Sequence, residues 1–336
     1  MELATSYLGL RLRNPVVASA SPLTTSVDGV RRLVDAGVGA VVLHSLFEEQ
    51  LLKDAERDAR LIEVGTESFA ESLTYFPADA DDEPWPRRYL SLLERAAGAV
   101  DVPVIASLNG VTPGSWGSYA AAMQDAGAAG IELNLYYLAG SSKISGRDVE
   151  QQLVDVLTGV KSSVHVPVAV KLSPYFSSIA EMAVRLDEAG ADGLVLFNRF
   201  LQPDIDPESL AVVPAVGLSH PSEARLPRTW IALLRGRVGA SLAASTGVEG
   251  PDDVARYLLA GADVVMTTSA LLRHGPQHAQ VLIDGLSAWM VRKEFATLDS
   301  VRGLLAVPPG TDEVARGRAA YVSAVWEANS HLYGPW

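Results

Sequence analysis

The stretch PDDVARYLLAGADVVMTTS, residues 251–269, contains a helix, a stop and a buried strand in succession. Pro251 suits the first helical turn, where its missing N–H is not needed, and Asp252 and Asp253 meet the positive end of the helix dipole. Gly261 then reads as a left-handed helix stop. The apolar run Val264-Val265-Met266 reads as a strand covered on both faces, as in a parallel sheet. The same junction recurs at DAGVGAVVLHS (35–45), DAGAAGIELNL (125–135) and EAGADGLVLFN (188–198). Each is a passage from helix to parallel strand.

Working outward, two further strands open on a Val-Pro-Val step, DVPVIASLN (101–109) and HVPVAVKLS (165–173). Proline at a strand start removes no central ladder bond. NPVVAS (14–19) and VGASLAAST (238–246) complete eight strands, and helical spacing fills the gaps at 27–36, 118–126, 180–189 and 251–260. Eight strands alternating with helices predict an α/β fold of the (β/α)8 TIM-barrel type. An open doubly wound sheet is the competing architecture, but no Gly-x-Gly-x-x-Gly turn follows an early strand. The expected organisation is one barrel domain over residues 1–336. An insertion after the second strand at 46–86, ending in the acidic ADADDEPWP, is either a lid or a solvated loop, and 298–336 forms a helical C-terminal extension.

Composition narrows the function classes. Forty acids against 27 Lys and Arg give a net charge of −13, which opposes binding along a phosphate backbone, so nucleic acid is not expected as a partner. Cysteine is absent, which removes disulfides, thiolate metal sites and any cysteine acid or nucleophile; no metal is expected. No apolar run reaches the ~18–20 residues of a membrane span, and the N-terminus lacks a leader pattern, so a cytoplasmic protein without membrane contact is expected.

In a barrel of this type the chemistry sits at the C-terminal strand tips. Here the tips are polar almost throughout: Ser19 and Ser21, His44 and Ser45, Ser107 and Asn109, Glu132 and Asn134, Lys171 and Ser173, Asn198 and Arg199, Ser245-Thr246-Gly247, and Thr267-Thr268-Ser269. Any one tip is polar simply because strand ends face loops and water; eight together point to a site. Lys171 ends the buried run Val168-Ala169-Val170 and needs a partner there. It is a Schiff-base nucleophile, a cation against an electron-rich ring, or an ion pair with Glu132. The asparagines favour the ring, since an amide offers a donor and an acceptor and transfers protons poorly. STGVEGPDD and TTSALL place hydroxyls, a glycine and a helix start after strands seven and eight, a frequent phosphate position in barrels.

These tips resemble the flavin-mononucleotide barrels of the dihydroorotate dehydrogenase type over about residues 5–295. NPVVASASP (14–22), GIELNLYY (130–137), PVAVKLSPYF (167–176), LVLFNR (194–199) and the stretch 245–272 carry the resemblance. ELNLYYLA is similar to the family's ELNLSCPN, and Thr268-Ser269-Ala270-Leu271 to its Gly-Thr-Ala-Leu phosphate motif. The resemblance implies FMN as cofactor, with Ser19 and Ala20 beside the isoalloxazine and Asn109 and Asn134 bonding to flavin or substrate. It places Lys171 at the N1/C2 carbonyl side and Asn198 toward the substrate. Thr246, Gly247, Thr268 and Ser269 would cradle the phosphate.

The departures fall on the chemistry. The family's base, a cysteine or serine three residues after the motif asparagine, is replaced by Tyr137, and a second family lysine at strand two by His44. The loop asparagine that the family uses for substrate has no match around Glu71-Ser72-Leu73. A phenol with an ordinary pKa of about 10 is a poor base and a serviceable proton donor at neutral pH. That favours reduction of an activated C=C bond in a small ring, with Tyr137 as acid and His44 either a partial cation near substrate oxygens or a space-filler. The competing functions are a Schiff-base lyase or aldolase using Lys171, and a flavin-binding subunit without turnover of its own. Electrons would come from NAD(P)H, a separate donor or acceptor protein, or the substrate itself. A homodimer is expected, because barrels of this type often pair.

Overall fold

A computed structural model describes residues 2–50, 85–110, 112, 116–137, 139–199, 203–213 and 217–331. Within them the chain forms a short hairpin, β1 (Thr5–Tyr7) and β2 (Leu10–Leu12), followed by a closed parallel barrel. The barrel strands are β3 (Val16–Ala18), β4 (Ala40–Phe47), β5 (Val104–Asn109), β6 (Gly130–Asn134), β7 (Val168–Leu172), β8 (Gly193–Leu196), β11 (Ser241–Ala244) and β12 (Val264–Thr267). Between β8 and β11 stands a second hairpin, β9 (Asp204–Asp206) and β10 (Ala211–Val213). All eight expected strands enter the barrel in chain order, and β12 closes it on β3.

The junctions behave as their sequence implies. Gly37, Gly127, Gly190 and Gly261 each adopt positive φ after the last helical turn, where a side chain would be strained. The helices Val27–Asp35, Trp116–Asp125, Ile179–Glu188 and Pro251–Ala260 match the expected segments to within two residues. Outward-facing strand residues such as Val41, Ile131, Val170 and Leu194 join the helices in one large core. The alternate positions, Val42, Ile105, Ala169, Val195, Ala243 and Met266 among them, fill the barrel interior.

The β1–β2 hairpin plugs the floor of that interior. Tyr7 and Leu8 are buried against it, and Leu8 occupies room left by two glycines. A Cβ on Gly193 would stand 2.5 Å from Leu8 Cδ2, and one on Gly130 would stand 3.3 Å from Leu8 Cδ1. The plug is tied down by Leu8 N–H donating to Ser241 Oγ at 3.1 Å and Thr5 Oγ1 donating to the Asp263 carbonyl at 3.0 Å. The hairpin escaped the sequence pattern because its tight turn is Leu8-Gly9, both with positive φ, where asparagine or aspartate usually announces such a turn.

Of the expected insertion 46–86, β4 continues to Phe47 and a helix begins at Trp85; residues 51–84, with Glu71, Ser72 and Leu73, lie outside the described residues. The C-terminal extension contains a short turn at Leu298–Ser300 and the helix Glu313–His331. Tyr321 and Trp326 on that helix are 62% and 74% exposed. Tyr333 and Trp336 lie outside the described residues. No helix among the described residues is long and apolar enough to cross a membrane.

Candidate active site

Strand register assembles the site. Asn109, Asn134 and Lys171 are partners across β5, β6 and β7, and Ser107, Glu132 and Ala169 form the row beneath, with Ser45 opposite Ser107. Side chains alternate along a strand, so both rows, two residues apart, face the interior. Lys171 is 7% exposed and Glu132 1%. The ammonium donates to Glu132 Oε1 at 3.4 Å and to Ser19 Oγ at 3.3 Å. An ammonium has three N–H donors, so one is left after these two partners. Asn198 Nδ2 donates to Asn134 Oδ1 at 2.8 Å, and this fixes both amides. Asn109, at the rim of β5, is half-buried. Ala20 packs against the interior cluster beside Ser19.

The other side of the mouth is built from the loops after β11 and β12. Thr246 and Gly247 have φ of +80° and +69°, and a Cβ on Gly247 would come within 2.8 Å of Ala224 N and 2.9 Å of the His220 carbonyl. Only glycine lets those residues pack so closely against the turn. Tyr257 holds the turn from the helix behind it, donating to the Thr246 carbonyl at 2.7 Å. Asp253 accepts from the N–H groups of Glu249 and Gly250, both at 3.2 Å.

Two of the expected phosphate positions turn their hydroxyls to the main chain. Thr246 Oγ1 donates to the Phe197 carbonyl at 3.2 Å, and Thr268 Oγ1 to that of Ser19 at 3.2 Å. Their hydroxyl protons are spent on the backbone, so what these positions can offer an anion is main-chain N–H. Ser269 does converge with Gly247, through a residue that the strand-tip pattern missed. Ser219 Oγ donates to Ser269 Oγ at 2.9 Å and accepts from Gly247 N–H at 3.2 Å, and Ser219 N–H donates to Ser269 Oγ at 2.9 Å. Arg273 donates to the Ser219 carbonyl at 3.1 Å. Arg199 braces the same loop through the Gly217 carbonyl and Glu223. Ser219 lies beyond the β9–β10 hairpin, away from any strand tip; the turn signal Gly217-Leu218-Ser219-His220-Pro221 was its only mark in the sequence.

Of the two readings of His44, partial cation and space-filler, its surroundings favour the second. Burial holds its imidazole below the ordinary value of 6.5, against a smaller opposing effect of the Thr24 carbonyl 3.4 Å from Nδ1. The ring is therefore neutral at neutral pH, and it stands edge-on to Tyr89 with centroids 5.2 Å apart. Tyr89 is a further residue the sequence did not mark: its hydroxyl accepts from Ser107 N–H at 2.8 Å, and Ser107 Oγ lies 2.8 Å from Ser45 Oγ. A cleft of about 970 Å³ beside His44, Ser45 and Tyr89 runs between the first helix and Trp85–Ala97. Neither Lys171 nor Asn134 lines it. Tyr137 is half-buried in the loop after β6, three residues beyond Asn134.

The mouth thus pairs a glycine-and-serine cradle suited to an anion with an amide and ammonium row suited to a polar, electron-rich ring. No group of three or more His, Cys, Asp or Glu that could hold a metal ion occurs among the described residues.

Known proteins bear on this arrangement. The chain is 29% identical over 311 residues to the catalytic subunit of dihydroorotate dehydrogenase B (NAD(+)) from Methanothermobacter thermautotrophicus, covering 90% of this chain and 98% of that one. It is 29% identical over 274 residues to a putative dihydroorotate dehydrogenase A (fumarate) from Aeropyrum pernix, covering 74% and 88%. It is 24% identical over 317 residues to the NAD-dependent dihydropyrimidine dehydrogenase subunit PreA of Escherichia coli, covering 90% and 76%. A family model described as dihydroorotate dehydrogenase matches residues 2–290, the whole of the barrel with its floor, and the chain belongs to the dihydroorotate dehydrogenase family.

Proposed function

We propose that this chain is an FMN-dependent oxidoreductase that acts on a CH–CH or C=C bond of a small ring, dihydroorotate or another dihydropyrimidine-like compound. The observation that carries it is the placing of Lys171, held by Glu132 and Ser19, in one mouth with the Ser219–Gly247–Ser269 cradle. The residues fit the cofactor: the loops after β11 and β12 bring Ser269 and the main chain of Thr246 and Thr268 to one side of the mouth, which suits a phosphate, and the spare Lys171 donor suits the ring. Bound FMN supplies hydride transfer to or from a ring carbon.

The chain's own residues do the rest. The Ser269 hydroxyl and the main-chain N–H groups of Thr246 and Thr268 hold the phosphate, Ser219 and Gly247 fix Ser269 in place, and Ser19 and Ala20 flank the ring. Lys171 balances negative charge in a site largely shielded from water, where such an interaction is strong. Asn109, Asn134 and Asn198 bind ring edges of cofactor and substrate. In the reductive direction Tyr137 gives its phenol proton to the substrate carbon next to the one that takes hydride, and regains a proton from solvent. His44, being neutral, lines the substrate side without adding charge.

The names of two relatives include NAD and the word subunit, so we assign the electrons to NAD(P)H or to a partner redox protein. The tests are spectroscopic. The purified chain should be yellow, with absorbance at about 450 nm. Adding dihydroorotate or dihydrouracil should bleach that band, or orotate or uracil should restore it after chemical reduction. A colourless protein that forms a borohydride-trapped adduct at Lys171 would favour the Schiff-base lyase instead. A yellow protein inert to every such ring would favour a flavin-carrying subunit without turnover.

A further inference from the structure

We propose that Glu132 is a positioning residue, which fixes the Lys171 ammonium in place as a cation inside the barrel; the proposal rests on the role given above to Lys171. The geometry is specific to the barrel interior. Glu132 stands two residues before Asn134 on β6, one row below Lys171 in the register, and its Oε1 lies 3.4 Å from Lys171 Nζ. Its side chain is 1% exposed and that of Lys171 is 9%. Two charges removed from water this far are tolerated only as a pair.

The floor keeps the pair dry. Tyr7, from the hairpin plug, is 1% exposed and sits close enough to Glu132 that the carboxylate, after burial itself, helps to push the phenol upward from 10. Tyr7 therefore stays a neutral phenol. Neither its hydroxyl nor Glu132 Oε2 has a hydrogen-bond partner among the described residues, and Lys171 is the one ion-pair partner of the carboxylate there. Tyr89, from the helix Trp85–Ala97, also feels Glu132, but burial above all holds its phenol neutral, against the Ser107 backbone and with a smaller push from the carboxylate. The other titratable groups are farther removed in role. Asp263, at the foot of β12, is committed to Arg235 at 3.0 Å and Arg302 at 3.2 Å, and His44 at the rim of β4 is neutral. Ser19, from β3's tip, is the remaining partner of the ammonium and carries no charge. Glu132 is the one carboxylate among the described residues that touches Lys171.

The sign of each disruption differs, and this makes the proposal testable. In Glu132→Gln the lysine is left buried without its carboxylate and folds best neutral. The unfolded chain then binds more protons, and stability rises with pH. In Lys171→Met the carboxylate is left alone and folds best protonated, so stability falls as pH rises. The experiment is thermal unfolding of the full chain as purified, from about pH 5 to about pH 9.5, for the wild type, both single variants and the double variant. Relative to wild type, the Glu132→Gln midpoint should climb by about 5 °C between about pH 6.5 and 9.5, and the Lys171→Met midpoint should drop between about pH 5 and 8. The double variant should track the wild-type profile, because both charges are gone.

Profiles of all four proteins that run parallel would overturn the proposal. If Glu132→Gln yields no folded protein, the slope of Lys171→Met decides alone. A structural role for Glu132 in packing would move the midpoint equally at every pH and would not be reversed by Lys171→Met. Because unfolding is read without reference to colour, opposite slopes in a colourless protein would sustain the pair while sinking the flavin assignment. Parallel slopes in a yellow one would do the reverse.

Discussion

The two sides of the barrel mouth are polar for different reasons. Around Gly247, Ser219 and Ser269 the binding capacity lies in main-chain geometry: a left-handed turn, neutral hydroxyls, and N–H groups brought close by the lack of a side chain. Around Lys171 it lies in charge, with an ammonium buried beside a carboxylate and two locked asparagines. A cradle of neutral dipoles tolerates any anion of the right shape and changes little with pH. A buried ion pair is costly to build and sensitive to every neighbour. The first suits affinity, the second chemistry, and substitutions on the two sides should separate in what they damage.

The largest break in that contrast is expected from Gly247→Ala. The new methyl would meet main-chain atoms of Ala224 and His220 at under 3 Å in a turn of positive φ. Neither backbone can yield cheaply, and the cost is about 1–3 kcal/mol of strain on top of the blocked approach. The variant should keep the circular dichroism of a folded barrel and elute colourless. On the charged side, Lys171→Ala should stay yellow while flavin reduction or reoxidation slows by about 1000-fold, the loss expected for a well-placed electrostatic group. If it elutes colourless instead, the division of labour between the two sides is wrong. Tyr137→Phe should slow substrate turnover by about 100-fold and leave reduction of the bound chromophore by the electron donor unchanged. Equal turnover in the two proteins would end Tyr137's candidacy as acid.

Smaller effects sharpen the comparison. Ser219→Ala removes one neutral hydroxyl from the cradle and should weaken FMN binding about fivefold, measured by fluorescence titration of the stripped protein. The effect should be the same at pH 6 and pH 8, since no charge is involved. His44 should give the smallest signal. Its folded value lies below 6.5, so the stability tied to its neutral form is complete above the unfolded value and is lost as pH falls through the folded one. His44→Gln should flatten the acid limb of the melting curve below about pH 6.5 and change nothing at pH 8.

Much of this molecule was legible in its residues. The four Ala-Gly junctions placed four strands, and the Val-Pro-Val steps placed two more, because helix stops and buried strand runs are set by a few adjacent residues. The polar tips followed from knowing where strands end. What stayed hidden had no local mark. The floor hairpin turns on Leu8-Gly9, and its fit depends on Gly130 and Gly193, which are remote in sequence. Ser219 reaches Ser269 across 50 positions from a loop outside the repeat. Whether His44 stood as a partial cation or filled space was open until the burial of its ring was known.

The sequence by itself therefore determined the barrel, the order of its strands and the chemical types at its mouth, since each depends on periodicity and stops within about ten neighbouring residues. Only the tertiary structure decided which polar groups face one another. It chose among the three roles open to Lys171 at sequence level only so far as to place Glu132 and Ser19 against it, from 39 and 152 positions away. It also turned the hydroxyls of Thr246 and Thr268 inward to carbonyls. The physical reason is that a hydrogen bond is a matter of ångströms, and those are set by barrel register and closure, which belong to the whole chain and to no segment of it.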